Sequence, residues 1–243
     1  MPQGSHFDYW WERQGKWVEP PNQRRGGESG VQILQQDDSA QPLLYCKRQV
    51  EHLYRSIFHP WGRPTILREQ LAYQSFERFG IKVPRIVYCG ARKHGRQWQA
   101  LLVTEALETG FVSLDRWYDS IPIEKHDSST SHAVFRELGA TLARLHLSGW
   151  QHGCCYPKHL FVRVLTLENE NTRIEVALLD LEKSRRRWRM REAARHDLNK
   201  LWRHRGTIRE ADWNFLLDAH DRFLVSTTTD RGNTTLQSIH ETR

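Results

Sequence analysis

Long apolar runs are missing from this chain of 243 residues. Nothing in it approaches the roughly 20 consecutive apolar residues that a helical membrane span needs. Cysteine is also sparse, with four residues, two of them adjacent at Cys154 and Cys155. No CxxC pair occurs, so neither a disulfide framework nor a zinc site is expected. The opening stretch MPQGSHFDYWWERQGKW is aromatic and charged and lacks the apolar core of a secretory signal. These absences lead us to expect a cytoplasmic protein.

What the chain does have is enough apolar material for a sizeable core and a surplus of positive charge. Hydrophobic residues make up 38%, while a mean hydropathy of -0.71 marks a polar surface. Lysine and arginine number 36 against 29 acidic residues, a formal net charge of +7. A basic balance favours anionic partners. The surplus is uneven: Arg185-Arg186-Arg187-Trp188-Arg189-Met190-Arg191 carries five arginines in seven residues. No nucleic-acid recognition motif accompanies this run, so no nucleic-acid partner is expected.

The order of elements points to a fold class. Residues 20–30 (PPNQRRGGESG) read as a turn-rich loop. Short strands are expected at Val31–Leu34 and Leu43–Cys46. From Thr65 to Phe79 the residues Ile66, Glu69, Tyr73 and Phe76 share one helical face, and Gly80 is the expected stop. Strands at Arg85–Cys89 and Gln99–Thr104 follow. A second strong helix carries Phe135, Leu138, Leu142 and Leu145 on one face and closes at Gly149. A hairpin is expected over Leu160–Leu167 and Arg173–Leu181, turning at 168–171, and the remainder reads as helical. Residues 226–243 have little to bury and read as a disordered tail. Segregated strands and helices argue for an α+β protein. Two lobes are expected: a strand-rich one with one helix over 1–105 and a helical one over 106–225.

Four residues suggest chemistry. Lys47 follows a strand. Glu69 lies within an apolar helical stripe, where a lone carboxylate is costly to desolvate, so it wants a cation, and Lys47 is the nearest candidate in topology. Asp180 ends the apolar run VALLD, and His159 lies in the segment from His152 to Val162. Singly, each has an ordinary explanation: an exposed lysine, a surface-paired glutamate, a turn-capping aspartate, a core histidine. Together they supply, in order, what phosphoryl transfer requires: a cation for nucleotide phosphates, a carboxylate holding that cation, and ligands for magnesium.

Over about residues 26–224 the chain resembles the bacterial lipopolysaccharide (Kdo/WaaP-like) kinases of the protein-kinase-like superfamily, in their InaA branch. The resemblance rests on Lys47, Arg68-Glu69, the loop with Tyr156-Pro157-Lys158-His159, Leu179-Asp180-Leu181 and Asp197-Leu198-Asn199-Lys200-Leu201. It implies a two-lobed kinase-like fold, use of ATP and magnesium, and an acceptor sugar of the lipopolysaccharide inner core or another anionic glycan. It also allows peripheral contact with the cytoplasmic face of the inner membrane. Carried over by position, Lys47 looks like the phosphate-binding lysine and Glu69 like its partner. Asp180 and His159 look like the metal residues, although a neutral imidazole is a weaker magnesium ligand than an oxygen. Gly27 and Gly30 fall in the glycine-rich segment, Glu105 and Leu107 in the adenine-binding linker, and His152 and Asp197 in supporting positions. Arg185, Arg186 and Arg187, beginning five residues after Asp180, would face an anionic acceptor.

One position departs from the pattern. Where kinases read His-Arg-Asp, this chain reads His152-Gly153-Cys154, and a thiol cannot replace a carboxylate as base. A sugar kinase is therefore the leading expectation, and a pseudokinase serving as a regulatory or scaffolding module is the alternative.

Overall fold

The computed structural model describes residues 6–24, 26–34, 41–166 and 172–240. The chain divides into two units, Met1–Ser75 with Val83–Thr109, and Phe76–Lys82 with Gly110–Arg243. The first begins with helix α1 (His6–Glu12), then strands β1 (Lys16–Arg24), β2 (Gly27–Leu34), β3 (Leu44–Val50), β4 (Leu53–Ser56) and β5 (His59–Pro64). Helix α2 (Thr65–Arg78) and strands β6 (Ile86–His94) and β7 (Gln97–Glu105) follow. Five strands form an antiparallel sheet in the order β1-β2-β3-β7-β6, while β4 and β5 pair only with each other.

Residue alternation along β3 sorts the two faces of this sheet. Leu44 and Cys46 point into a cluster with Leu34, Leu101, Val103 and Phe7, on which Trp10, Trp11 and Tyr88 pack. That cluster holds α1, a helix not expected from the sequence. Helix α1 has no basic residue in its last turn, and Arg48 supplies the missing cation by donating to the carbonyls of Trp10, Trp11 and Arg13. On the opposite face Gln49 accepts a 2.8 Å hydrogen bond from the Thr65 hydroxyl, which pins the start of α2.

Two expectations about this unit change. Of the expected loop over 20–30, residues 20–24 belong to strand β1 and 27–30 to strand β2. Pro20 and Pro21 fit there because β1 is the sheet edge, where a missing N–H removes no ladder bond, and the register breaks between Trp17 and Asn22. Strand β3 also runs past Cys46 to Val50, so Lys47 lies mid-strand, paired with Val31 and Leu102.

The second unit contains β8 (Val112–Ser113), α3 (Leu114–Ser120), α4 (Ser129–Leu147), β9 (Trp150–Gln151), β10 (Leu160–Thr166), β11 (Thr172–Leu178), β12 (Arg185–Arg186), α5 (Met190–Arg203) and α6 (Glu210–His240). Ser128 caps α4 by accepting from the Ser131 N–H at 3.2 Å. The hairpin β10–β11 is in register from Leu160↔Leu178 to Thr166↔Thr172, and its expected turn at 168–171 lies outside the described residues. Strand β11 stops at Leu178, three residues short of the expected end, so Asp180 lies beyond the strand. Helix α6 continues to His240 and so covers most of the expected tail. A helix satisfies its backbone locally and needs no core to do so. Among the described residues no helix is long and apolar enough to cross a membrane.

Helices α4 and α6 cross at Gly139, where an added Cβ would lie 2.3 Å from the Leu216 carbonyl oxygen. Replacing a mid-helix glycine by alanine normally stabilises by about 0.5–1 kcal/mol. Here the sign reverses: Gly139→Ala should destabilise, by roughly 1–3 kcal/mol as overpacked sites do. Denaturant unfolding measures it, and a gain in stability would show that α6 can move off α4 at little cost.

Candidate active site

In the first unit, alternation puts Lys47 on the α2 face of the sheet, and Glu69 lies one turn into that helix from the pinned Thr65. The two meet as an ion pair, Lys47 Nζ to Glu69 Oε2 at 2.9 Å. The Glu69 side chain is almost fully buried and that of Lys47 mostly so. The partner expected for a carboxylate in an apolar stripe is therefore present, and its ammonium is held within a hydrogen-bonded sheet rather than on a flexible loop.

Other expected residues of this unit have different neighbours. Glu105 ends β7, and the Arg85 guanidinium binds it, with Nε to Oε2 at 2.7 Å, and holds its carboxyl below the usual range. Its backbone N–H and that of Ala106 are paired with the carbonyls of Arg85 and Leu43. Leu107 follows in irregular chain, half-buried. Gly27 and Gly30 lie in β2, and packing accounts for each. A Cβ on Gly27 would stand 2.4 Å from the Glu51 backbone, and one on Gly30 would stand 2.7 Å from the Trp17 ring.

In the second unit, Asp197 of α5 organises the loop at 152–159. Its buried carboxylate accepts from the backbone N–H groups of His152 at 2.6 Å and Gly153 at 2.9 Å. Burial alone would raise the Asp197 carboxyl, but the hydrogen bond from His146 and the flanking imidazoles outweigh it and hold the group below its usual range. Lys200, one turn further along α5, donates to the Gly153 carbonyl at 2.9 Å. Gly153 has φ +79, and a Cβ there would meet the Lys183 carbonyl at 2.5 Å, so only glycine fits. His152 accepts the Cys154 N–H at its Nδ1 at 3.2 Å, and burial pushes its imidazole down.

The loop thus shaped brings three expected residues together. His159 Nδ1 donates to the Cys154 carbonyl at 2.8 Å and lies 3.5 Å from Asp180 Oδ2. With the proton on Nδ1, the Nε2 lone pair of a neutral His159 is left for a ligand. Asp180 adopts a left-handed backbone, φ 55 and ψ 62, ahead of a 3-10 turn at Leu181–Lys183. Residues held in this conformation cluster at functional sites. Cys154 is buried beside Asp180, and burial followed by that carboxylate pushes its thiol up to about 12. Cys154 is therefore a neutral thiol at physiological pH.

The arginine run has mixed placement. Arg185 and Arg186 are exposed in β12, which pairs with β9. Arg187 donates its Nε to Gln151 at 2.7 Å and serves the framework.

The sequence reading missed His146 and His220. His146 Nε2 lies 3.4 Å from Asp197 Oδ2, and His146 Nδ1 lies 3.0 Å from His220 Nε2, in a buried line running from α6 through α4 to α5. The signal was available, since His146 is a polar residue beside Leu142 and Leu145 on the apolar face of α4, as Glu69 is on α2.

Residues 8–220 match the Lipopolysaccharide kinase (Kdo/WaaP) family. Protein InaA of Escherichia coli (strain K12) is 39% identical over 207 residues, covering 85% of this chain and 91% of that protein. Among solved structures, WaaP in complex with acyl carrier protein is similar with a TM-score of 0.67 and 18% identity, over 98% of this chain and 91% of that one. The Rio2 kinase of Chaetomium thermophilum, as its ADP/Mg2+-phosphoaspartate complex, gives a TM-score of 0.50 at 10% identity, over 98% of this chain and 75% of that one. These likenesses show a protein-kinase-like fold.

Two outcomes follow from the buried polar line. Asp197→Ala should cost at least about 2 kcal/mol, because each backbone N–H left buried without a partner costs roughly 1–3 kcal/mol. Stability should also fall as pH drops below 6.5, the ordinary imidazole value, since burial pushes His152 and His220 below it and the unfolded chain then binds more protons. Asp197, depressed instead, loses its contribution only as pH falls through the acidic range below 3.8. Unfolding midpoints at pH 7.5 and 5.5 test the imidazole effect. His220→Gln should shrink the difference, and an unchanged difference would remove His220 from the explanation.

Proposed function

We propose that this chain, which belongs to the lipopolysaccharide kinase (Kdo/WaaP) family, is an ATP-dependent phosphotransferase acting on a sugar hydroxyl of the lipopolysaccharide inner core. The observation that carries the reading is the Lys47–Glu69 pair at 2.9 Å. An ammonium fixed mid-strand by a buried carboxylate is suited to nucleotide phosphates, and a flexible surface lysine is not. On this reading the unit of Met1–Ser75 with Val83–Thr109 is the nucleotide-binding lobe, and the helical unit carries the catalytic loop, on the cytoplasmic side of the inner membrane.

The side chains suit a magnesium–nucleotide. Magnesium keeps several waters and takes one or two carboxylates besides the substrate phosphates. Asp180 offers such a carboxylate, partly exposed and held by its left-handed backbone, with His159 Nε2 beside it as a weaker ligand or a phosphate contact. The cation, when bound, would neutralise charge on the transferring phosphoryl group. Lys47 would neutralise the remaining phosphates, and Asp197 with Lys200 would fix the loop that presents Asp180's neighbours. Arg185 and Arg186 would face the anionic acceptor, whose phosphates and carboxylates match guanidinium forks. Glu105 and Leu107 would flank the adenine through backbone groups, since Arg85 already holds the Glu105 carboxylate.

Cys154 favours a second reading. A thiol pushed up to about 12 cannot accept the hydroxyl proton. General-base help is worth roughly 10²- to 10⁴-fold, whereas positioning and charge neutralisation supply most of phosphoryl transfer. Transfer would then be slow, and in the limit the chain is a nucleotide-binding module that regulates rather than catalyses.

Magnesium–ATP should raise the melting temperature by mass action, and Asp180→Asn should diminish the rise. No rise at millimolar nucleotide would defeat the nucleotide reading. Cys154→Asp separates enzyme from module. A second carboxylate beside Asp180 should lower the melting temperature without magnesium and raise phosphate transfer to core oligosaccharide, by at most about 10²- to 10⁴-fold. A folded Cys154→Asp protein that loses an activity the wild type has would show that residue 154 does not face the acceptor.

A further inference from the structure

The hairpin β4–β5 takes no part in the five-stranded sheet, and none of the roles above uses it. Its base is fixed: Leu53 pairs with Pro64, and the Thr65 N–H donates to the His52 carbonyl at 3.0 Å. Its flank is ordered by a T-shaped contact of Tyr54 with His59 and by Arg68 lying over the Tyr54 ring at 4.8 Å. Its tip is apolar and bare. Ile57, Phe58 and Trp61 are 95%, 87% and 91% exposed. Isolated exposed apolar side chains are ordinary, but two on a single turn with a third on the adjoining strand, held out by a fixed base, are not.

Charge around the tip has one sign. From His52 to Arg68 there is no aspartate or glutamate, while Arg55, Arg63 and Arg68 are cationic. Arg55 and Arg63 are exposed, and Arg63 lies 3.3 Å from the His59 ring. We propose that this hairpin inserts its tip into the headgroup region of an anionic lipid bilayer, with Arg55 and Arg63 on lipid phosphates and Trp61 and Phe58 at the interface.

The shape favours a bilayer over a protein. A stable protein partner buries roughly 800 Å² on each side around a packed core. A two-residue turn with one neighbouring tryptophan is a projection too narrow for that, but it can enter a fluid interface. Aromatic side chains prefer the interfacial layer, and arginine neighbours add attraction to anionic headgroups. Attachment through so small a wedge is weak and reversible alone, so it would act with a second cationic contact. The inference does not depend on phosphotransfer, because it concerns where the chain sits and not what it transfers.

The test uses the full chain with phosphatidylglycerol vesicles and with phosphatidylcholine vesicles, at low and moderate salt. The wild type should float with the anionic vesicles and not with the neutral ones. Ile57→Ser/Phe58→Ser/Trp61→Ser should reduce the bound fraction about fivefold or more, while Arg55→Gln/Arg63→Gln should weaken binding and flatten its salt dependence. Neither variant should alter the melting-temperature response to magnesium–ATP, which separates failure of this inference from failure of the nucleotide reading. Should the triple variant fold poorly, Trp61→Phe gives a second measurement. Fluorescence quenching by brominated lipid should be present in wild type and reduced in Trp61→Phe. The inference is overturned if the wild type ignores anionic vesicles, if the tip variant binds undiminished, or if light scattering shows the tip instead pairs two copies of the chain.

Discussion

A carboxylate with no exposed surface must have every lone pair answered, and Asp197 meets that demand with backbone amides alongside the His146 imidazole. The two amides are those of the 152–153 turn, and their bonding dictates the turn's shape. Gly153 is then forced into a positive φ, pressed against the Lys183 carbonyl, and His152 is turned inward. Cys154, His159 and Asp180 are positioned as consequences. The chemistry of the second unit thus depends on one buried charge two helical turns into α5.

The first unit rests on a different constraint, the strict alternation of β3. One face commits Leu44 and Cys46 to the α1 cluster and lends Arg48 to the α1 carbonyls. On the other face, Gln49 pins the start of α2 and Lys47 meets Glu69. A slip of one residue would exchange the faces and bury a lysine in the aromatic cluster. The ion pair is specific because the register is.

How much of this could be read in advance depended on whether a residue violated its local pattern. Glu69 interrupts an apolar stripe, so its need for Lys47 was legible, and helix α2 is displaced from its expected end by a single residue. The order of strands and helices gave the α+β class, and the family resemblance carried the kinase-like fold. The 20–24 segment misled because its prolines suit a loop and an edge strand equally, and only the sheet order distinguishes them. Asp180 was placed at a strand end because the apolar run VALLD gives no sign that hydrogen bonding stops at Leu178. His146 interrupts the apolar face of α4 as Glu69 does that of α2, but its partners Asp197 and His220 are 51 and 74 residues distant, and no local period names them.

Pro20 and Pro21 in β1 have an effect beyond this chain. Every sheet ends in strands whose outward N–H and C=O groups could recruit another molecule's strand. A proline has no N–H to offer, and the register breaks beside these two twist the strand away from a straight ladder. The outer border of β1 is therefore a poor template for a copy of itself. Polymerisation through that side of the sheet is disfavoured by covalent structure, before any surface charge is considered.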